Sequence, residues 1–565
     1  MSDLSADPLN FLQQASVEGR TLIARTFTEK SAANGLGAGW EDLFSQAWQV
    51  WFGLGESLLE IAGAPQDDAR DKRFAGQAWR EDKRFAVLQR SYRTYAHFMQ
   101  RAVDSAPVDD NAKGQLRFVT RQVIDAMSPA NFLATNPEAI QLALETQGQS
   151  LARGVELFLR DASKGRISMS DENAFVVGKN LATTEGAVIY ENPLMQLIMY
   201  RPLTKKVAAR PLLMIPPCIN KFYILDLQPE NSLVRYALTQ GQTVFMLSWR
   251  NITPELDTLH WHDYLHQGVI KAIDVVCDVA FDDGATGSLP KQINTLGFCI
   301  GGALLSSAAA MLAARGRQEI ASMTLLTTLL DYTDAGEIGL LINESSVIAR
   351  EQSIGQRGIM RAKELGMSFA SLRANDLIWP YVVNGYLKGQ SPEAFDLLYW
   401  NADGTNLPGP MFAWYLRHTY LENNLRRPDH RLPDGSRIDL RQISAPTYVY
   451  ASKEDHLVPW HTSFESTKIL SAPTTFVLGS SGHIAGVINP PTHGKRNYWV
   501  DGQSAESASA WLKSANSHTG SWWPHWAAWL KQNSGGMVPA RKVLGNHRYP
   551  PTEAAPGSYV QVRCD

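Results

Sequence analysis

Residues 297–301, "GFCIG", hold a cysteine between two glycines: Gly297-Phe298-Cys299-Ile300-Gly301. A thiol presented on such a turn can act as the nucleophile of an acyl transfer, provided a base takes its proton and a third group orients that base. An imidazole and a carboxylate are the usual pair for that work. Downstream, "YASKEDHLVPW" supplies Asp455 and "FVLGSSGHIAG" supplies His483. The chain order is therefore Cys299, Asp455, His483: nucleophile, acid, base. His456 rivals His483, but adjacency to Asp455 opposes a good pairing geometry. Asp331, at the end of "SMTLLTTLLD", is the reserve acid.

These residues need elements that bring them together. "INTLGF" before Cys299 reads as a strand and "GGALLSSAAAMLAAR" after it as a helix. Strand, G-x-C-x-G and helix together have the form of a nucleophile elbow, where the turn is strained and side chains at the flanking positions would clash. Cys299 then sits at a helix N-terminus, whose dipole favours a thiolate. The Ile300 N–H supplies half of an oxyanion hole, and the backbone of Cys218 or Ile219 in "PPCIN" is the candidate for the other half. "PLLMIPP", "TVFMLSW", "SMTLLTTLLD", "PTYVYASKED" and "PTTFVLGSSGH" are further short apolar runs separated by helical stretches such as residues 266–281, and "GAVIYENPLMQLIMYRP" reads as a hairpin. This alternation predicts a mostly parallel sheet with helices on both faces, an α/β-hydrolase fold over residues 186–565. Residues 333–443 interrupt it as a lid or cap insertion, with Ile378, Trp379, Tyr381 and Val382 suited to excluding water. Residues 1–185 read as a helical domain: "WEDLFSQAWQVWFGLGESLLEIAG", "RFAVLQRSYRTYAHFMQRAVDSA" and "SPANFLATNPEAIQLALETQGQSLARGVELFLRD" repeat apolar residues every three or four positions.

Composition excludes several classes. Lys+Arg 53 against Asp+Glu 56 gives a net charge of −3, so no general affinity for nucleic acid or anionic membranes is expected. The cysteines are Cys218, Cys277, Cys299 and Cys564, with no C-x-x-C spacing, which argues against a zinc or dithiol site and for a reducing cytoplasm. Cys277, Cys564 and the Cys218 side chain read as ordinary thiols. The opening residues lack the apolar core of a signal peptide, and no apolar run reaches the ~18–20 residues of a membrane span. "SWWPHWAAWLKQ" reads as helix packing.

Taken in order, "PPCINKFYILDLQPENSLVRYAL", "TVFMLSWRN", "GFCIGG", "LRANDLIW", "YWNADGTNLPGPM", "SKEDHLVPW", "SSGHIAGVINPP" and "SWWPHWAAWL" resemble the poly(3-hydroxyalkanoate) synthases over essentially the whole chain. The resemblance implies polymerisation of (R)-3-hydroxyacyl-CoA with release of coenzyme A, and a triad on Cys299, Asp455 and His483. It implies no cofactor, since coenzyme A belongs to the substrate and the product. Arg373 is implied as a contact for coenzyme A phosphates, and Trp400 as a residue near the active site or a dimer contact. The surroundings of Cys299, Phe298 and Ile300, resemble the class I enzymes, which implies short substrates such as 3-hydroxybutyryl-CoA. A homodimer at the surface of cytoplasmic polyester granules is likewise implied. A thioesterase or polyester depolymerase using the same three residues, or a non-catalytic granule protein, is the alternative.

Overall fold

The structure, a computed structural model, describes residues 71–282, 289–503 and 506–564. The chain divides into two compact units, one running to Asp171 and taking in Phe369–Glu393, the other comprising Glu172–Ser368 and Ala394–Asp565. The helix expected over "WEDLFSQAWQVWFGLGESLLEIAG" lies outside the described residues.

The first unit is helical. Helices α1 (Lys83–Asp104), α2 (Asp110–Ala126) and α3 (Pro137–Glu145) each follow an extended residue, and α4 (Gln149–Lys164) follows the left-handed Gly148. Asp82, Asp109 and Asn136 cap α1 to α3 by accepting backbone N–H groups, while Gly165 in a left-handed conformation closes α4. Phe74, Trp79, Tyr92, Ala96, Ile124 and Ala130 form the core. Leu144, Val155, Phe158 and Leu159 are exposed. The segment Phe369–Glu393, which lies within the insertion expected from the sequence, joins this unit through Tyr386, whose hydroxyl donates to Asp161 at 2.8 Å. Ile378, Trp379, Tyr381 and Val382 lie on that segment and are half-buried.

The second unit is built on an eleven-stranded sheet. Its strands are β1 (Gly186–Glu191), β2 (Met195–Tyr200), β3 (Leu212–Ile215), β4 (Val244–Trp249), β5 (Ile293–Phe298), β6 (Ile320–Leu326), β7 (Thr447–Ser452), β8 (Thr474–Gly479), β9 (Asn497–Val500), β10 (Asn516–Thr519) and β11 (Glu553–Ala554). They lie in the order β10-β9-β8-β7-β6-β5-β3-β4-β2-β1-β11. From β4 to β8 neighbouring strands are parallel, and antiparallel strands finish both edges. Every residue of β3, β4, β5 and β7 is buried, as expected of strands covered on both faces. The hairpin read from "GAVIYENPLMQLIMYRP" is β1 and β2.

Strand order reverses beside β3: β4, next in sequence, lies on one side and β5 on the other. In an open parallel sheet such a switch point leaves a crevice at the carboxyl ends of the strands. Cys299 follows β5 at that end, and the loop beginning at Pro216 follows β3.

Candidate active site

The chain between β5 and helix α5 (Ile300–Ala314) turns at Cys299, which takes φ 54° and ψ −125°. A cysteine rarely adopts a positive φ, and such strain persists only where its surroundings fix it. The Cys299 N–H donates to the Leu326 carbonyl at 2.9 Å, while its carbonyl accepts from Gly302 N at 2.9 Å and Thr328 Oγ1 at 3.2 Å. The glycines are required by contact. A Cβ on Gly297 would lie 2.5 Å from Gly302 Cα, and one on Gly301 would run into the carbonyl oxygens of Ile215 and Pro216. The first turn of α5 thus presses on the end of β3, whose following loop carries Cys218 and Ile219. Cys218 is close enough for its buried thiol, pushed far up by desolvation, to feel Cys299 as well.

The loops after β7 and β8 are laced together: Lys453 N donates to Gly479 O at 2.8 Å and Glu454 N to Ser481 O at 3.0 Å. This sets Asp455 against His483, with Asp455 Oδ2 2.7 Å from His483 Nδ1. The other carboxylate oxygen accepts from the backbone N–H groups of Leu457 and Val458 at 2.8 and 2.9 Å, so the acid is fixed on both sides. Both residues are buried. With Nδ1 engaged, Nε2 remains for the sulfur, and Cys299 is among the groups that act on the ring. Burial alone would depress the imidazole, but the Asp455 carboxylate and then Cys299 outweigh it and push the ring up to about 10.

A stability prediction follows. The folded chain holds a His483 proton up to about pH 10, whereas the ordinary value is 6.5. The stabilisation is complete below about 6.5 and is lost as pH rises through about 10. The thermal midpoint should fall across that window, and less so in Asp455→Asn, which lacks the attracting charge. Parallel profiles for the two proteins in a melting series would contradict the assignment.

Two supports were not legible as such. Trp522 and Trp523 donate their indole N–H groups to the carbonyls of Gly486 and Val487 at 3.1 and 2.9 Å, anchoring the short helix His483–Val487 that carries the histidine. The Trp-rich stretch therefore packs, and it also positions. The segment 399–406 holds the loop after β3: Thr405 N donates to Ile219 O at 2.7 Å and Trp400 Nε1 to Lys221 O at 2.7 Å. Buried Trp400 thus fastens the candidate oxyanion loop from behind.

The remaining candidates fall elsewhere. Arg373 lies on Phe369–Glu393 and pairs with Asp376, its Nε donating at 2.8 Å. Asp331 is occupied by Thr333, Asn423 and Arg426, with no bond to His483 among the described contacts. His456 is half-buried beside Asp455, whose Oδ2 is given to His483. Cys277 is buried in the helix Lys271–Ala280, and the Cys564 thiol donates to Asn251 Oδ1 at 2.8 Å. Among the described residues no His, Cys, Asp or Glu cluster could hold a metal ion, and no helix is long and apolar enough to cross a membrane.

A parallel sheet with a strained cysteine turn at its switch point, faced by a buried histidine–aspartate pair, defines an acyl-transfer enzyme of the α/β-hydrolase fold. Residues 211–490 match the family model for that fold, and residues 70–237 match the one described as "Poly-beta-hydroxybutyrate polymerase (PhaC) N-terminus". The "Poly(3-hydroxyalkanoate) polymerase subunit PhaC" of Cupriavidus necator is 48% identical over 525 residues, covering 92% of this chain and 87% of that one. The protein of the same name from Rhizobium meliloti is 38% identical over 92% of this chain and 85% of its own length. "Poly(3-hydroxyalkanoate) polymerase 1" of Ectopseudomonas oleovorans is 37% identical over 90% and 89%. The chain belongs to the poly(3-hydroxyalkanoate) polymerase family, acyltransferases that synthesise polyester.

Proposed function

We propose that this enzyme polymerises short (R)-3-hydroxyacyl-CoA thioesters, 3-hydroxybutyryl-CoA foremost, through an acyl thioester on Cys299. The observation that carries the reading is the strained Cys299 turn beside the buried His483–Asp455 pair, with Phe298 of the elbow against the His483 ring. The short acyl length follows from the resemblance of the residues around Cys299 to the class I enzymes.

In the first step the Cys299 sulfur attacks the acyl carbon of the CoA thioester. The new C–S bond forms, the old one breaks, and coenzyme A leaves with the proton that His483 holds, which leaves the ring neutral. The backbone N–H groups of Ile300 and of Cys218 or Ile219 face the developing oxyanion. In the second step the 3-hydroxyl of another acyl unit attacks the Cys299 thioester. Its proton passes to the neutral His483, an ester C–O bond forms, and the Cys299 sulfur is released beside the reprotonated ring. Asp455 keeps the ring oriented throughout.

The nucleophile suits the task. Exchange of one thioester for another is nearly isoenergetic, so the acyl group stays activated; a serine would lower it to an oxoester, from which ester synthesis gains no driving force. Water competes for the same carbonyl, so a polymerase must exclude it. The exposed Leu144, Val155, Phe158 and Leu159 give the helical unit an apolar face suited to an insoluble polyester product, supporting work at a granule surface.

Product analysis with 3-hydroxybutyryl-CoA tests the reading. Coenzyme A release is expected to be matched by polymer. Free 3-hydroxybutyrate in step with coenzyme A, and no polymer, would make the protein a thioesterase.

A further inference from the structure

Three tyrosines crowd one side of Cys299 and have no part in the steps above. Tyr332 lies on the loop after β6, and Cys299 is bonded to Leu326 at the end of that strand and to Thr328 in the loop. Tyr415 and Tyr420 come from the inserted segment. The ring centroids are 5.0 Å apart for Tyr332 and Tyr420, 5.4 Å for Tyr415 and Tyr420, and 6.5 Å for Tyr332 and Tyr415, all edge-on. Tyr332 and Tyr415 are buried and Tyr420 is half-buried. The Tyr415 ring lies against both of the others.

The backbone is bent to make this cluster. Residues Leu416–Leu421 form a π-helix. In an α-helix residues five apart diverge by about 140°, whereas a π-turn sets them on one side, as Tyr415 and Tyr420 are here. Asn423 then takes a left-handed conformation, φ 51°. Its Oδ1 accepts from Tyr332 N at 2.9 Å and its Nδ2 donates to Asp331 at 2.7 Å, stitching the π-turn to the loop after β6. A π-helical turn and a left-handed asparagine in one stretch beside a nucleophile are the kind of stored strain that marks functional positions. After burial, Cys299 is among the groups that raise all three phenols, and Asp455 is among those that raise Tyr420. Desolvation holds the phenols above their ordinary range, so they remain protonated and act as donors rather than bases.

Resting on the polymerase reading, we propose that Tyr420 donates a hydrogen bond to the oxygen on C3 of the acyl group attached to Cys299. Tyr415 and Tyr332 position its hydroxyl. That oxygen is an acceptor both as a free hydroxyl and as an ester, so one donor recognises the first unit and the growing chain alike. Tyr420 thereby sets the preference for 3-hydroxyacyl over simple acyl thioesters.

The test compares the full-length protein with Tyr420→Phe, which removes one oxygen atom from the chain. First-turnover coenzyme A release is measured with 3-hydroxybutyryl-CoA and with butyryl-CoA, which lacks the oxygen. Tyr420→Phe should slow release from 3-hydroxybutyryl-CoA about tenfold and leave butyryl-CoA within about twofold, collapsing the discrimination ratio. Tyr415→Phe should reduce the same ratio by about threefold. Equal losses with both substrates, or no loss with either, would overturn the assignment. If the unsubstituted protein releases coenzyme A from neither thioester, the polymerase reading itself falls, and this assignment with it.

Discussion

Cys299→Ala is expected to cut coenzyme A release by at least about ten-thousand-fold while the protein remains folded. The magnitude follows from removing the atom that forms the covalent bond, since a group acting as one unit with its base cannot be partly replaced by it. Folding should survive because the substitution removes a single, half-buried sulfur and alanine adds no new atom to the turn. Cys299→Ser separates the two demands on the residue. It keeps an oxygen nucleophile in the same φ 54° turn, but the acyl group then falls to an oxoester. At most one equivalent of coenzyme A per chain should be released, with no polymer. Steady turnover to polymer by the serine variant would remove the need for a thioester.

The second large effect is expected at a residue that touches no substrate. Gly301 faces the carbonyl oxygens of Ile215 and Pro216, with Pro216 O 2.6 Å from where a Cβ would stand. These are backbone atoms and cannot rotate aside, so Gly301→Ala must push the loop after β3 away from α5. Alanine favours a helix over glycine by about 1 kcal/mol, which makes helix propensity an improbable cause of any loss. The displaced loop carries Cys218 and Ile219, so one oxyanion donor retreats. Turnover should fall about a hundredfold or more, the usual cost of one such donor. Alkylation of Cys299 by iodoacetamide, which needs no oxyanion hole, should stay close to that of the parent protein. Full turnover in Gly301→Ala would show that the oxyanion is bound elsewhere.

What could be read from the sequence was governed by local signals. The strands β3 to β8 announced themselves as short β-branched runs because they are buried on both faces, and the elbow because its glycines have no substitute. Asp455 and His483 could be picked out because each follows a strand. Less local relations were hidden. That Phe369–Glu393 packs with the helical unit depends on contacts such as Tyr386 with Asp161, far apart in sequence, which no periodicity reports. Trp400 was visible as a residue of note, but the carbonyl it bonds belongs to Lys221 on another segment. The tyrosine cluster was invisible because a π-helical turn shifts the register that an α-helical reading assumes. The indoles of Trp522 and Trp523 looked like packing, and only the placement of Gly486 and Val487 shows that they hold the histidine.

The central claim, a thioester on Cys299 at the heart of polyester synthesis, is tested most directly by acid-quenching the enzyme during turnover of 3-hydroxybutyryl-CoA and mapping the adduct by peptide mass spectrometry. One or more 3-hydroxybutyryl units are expected on Cys299, labile to hydroxylamine and chased into polymer when more substrate is added. Polymer accumulating with Cys299 unmodified at every quench time, or acyl groups found on another residue, would contradict it.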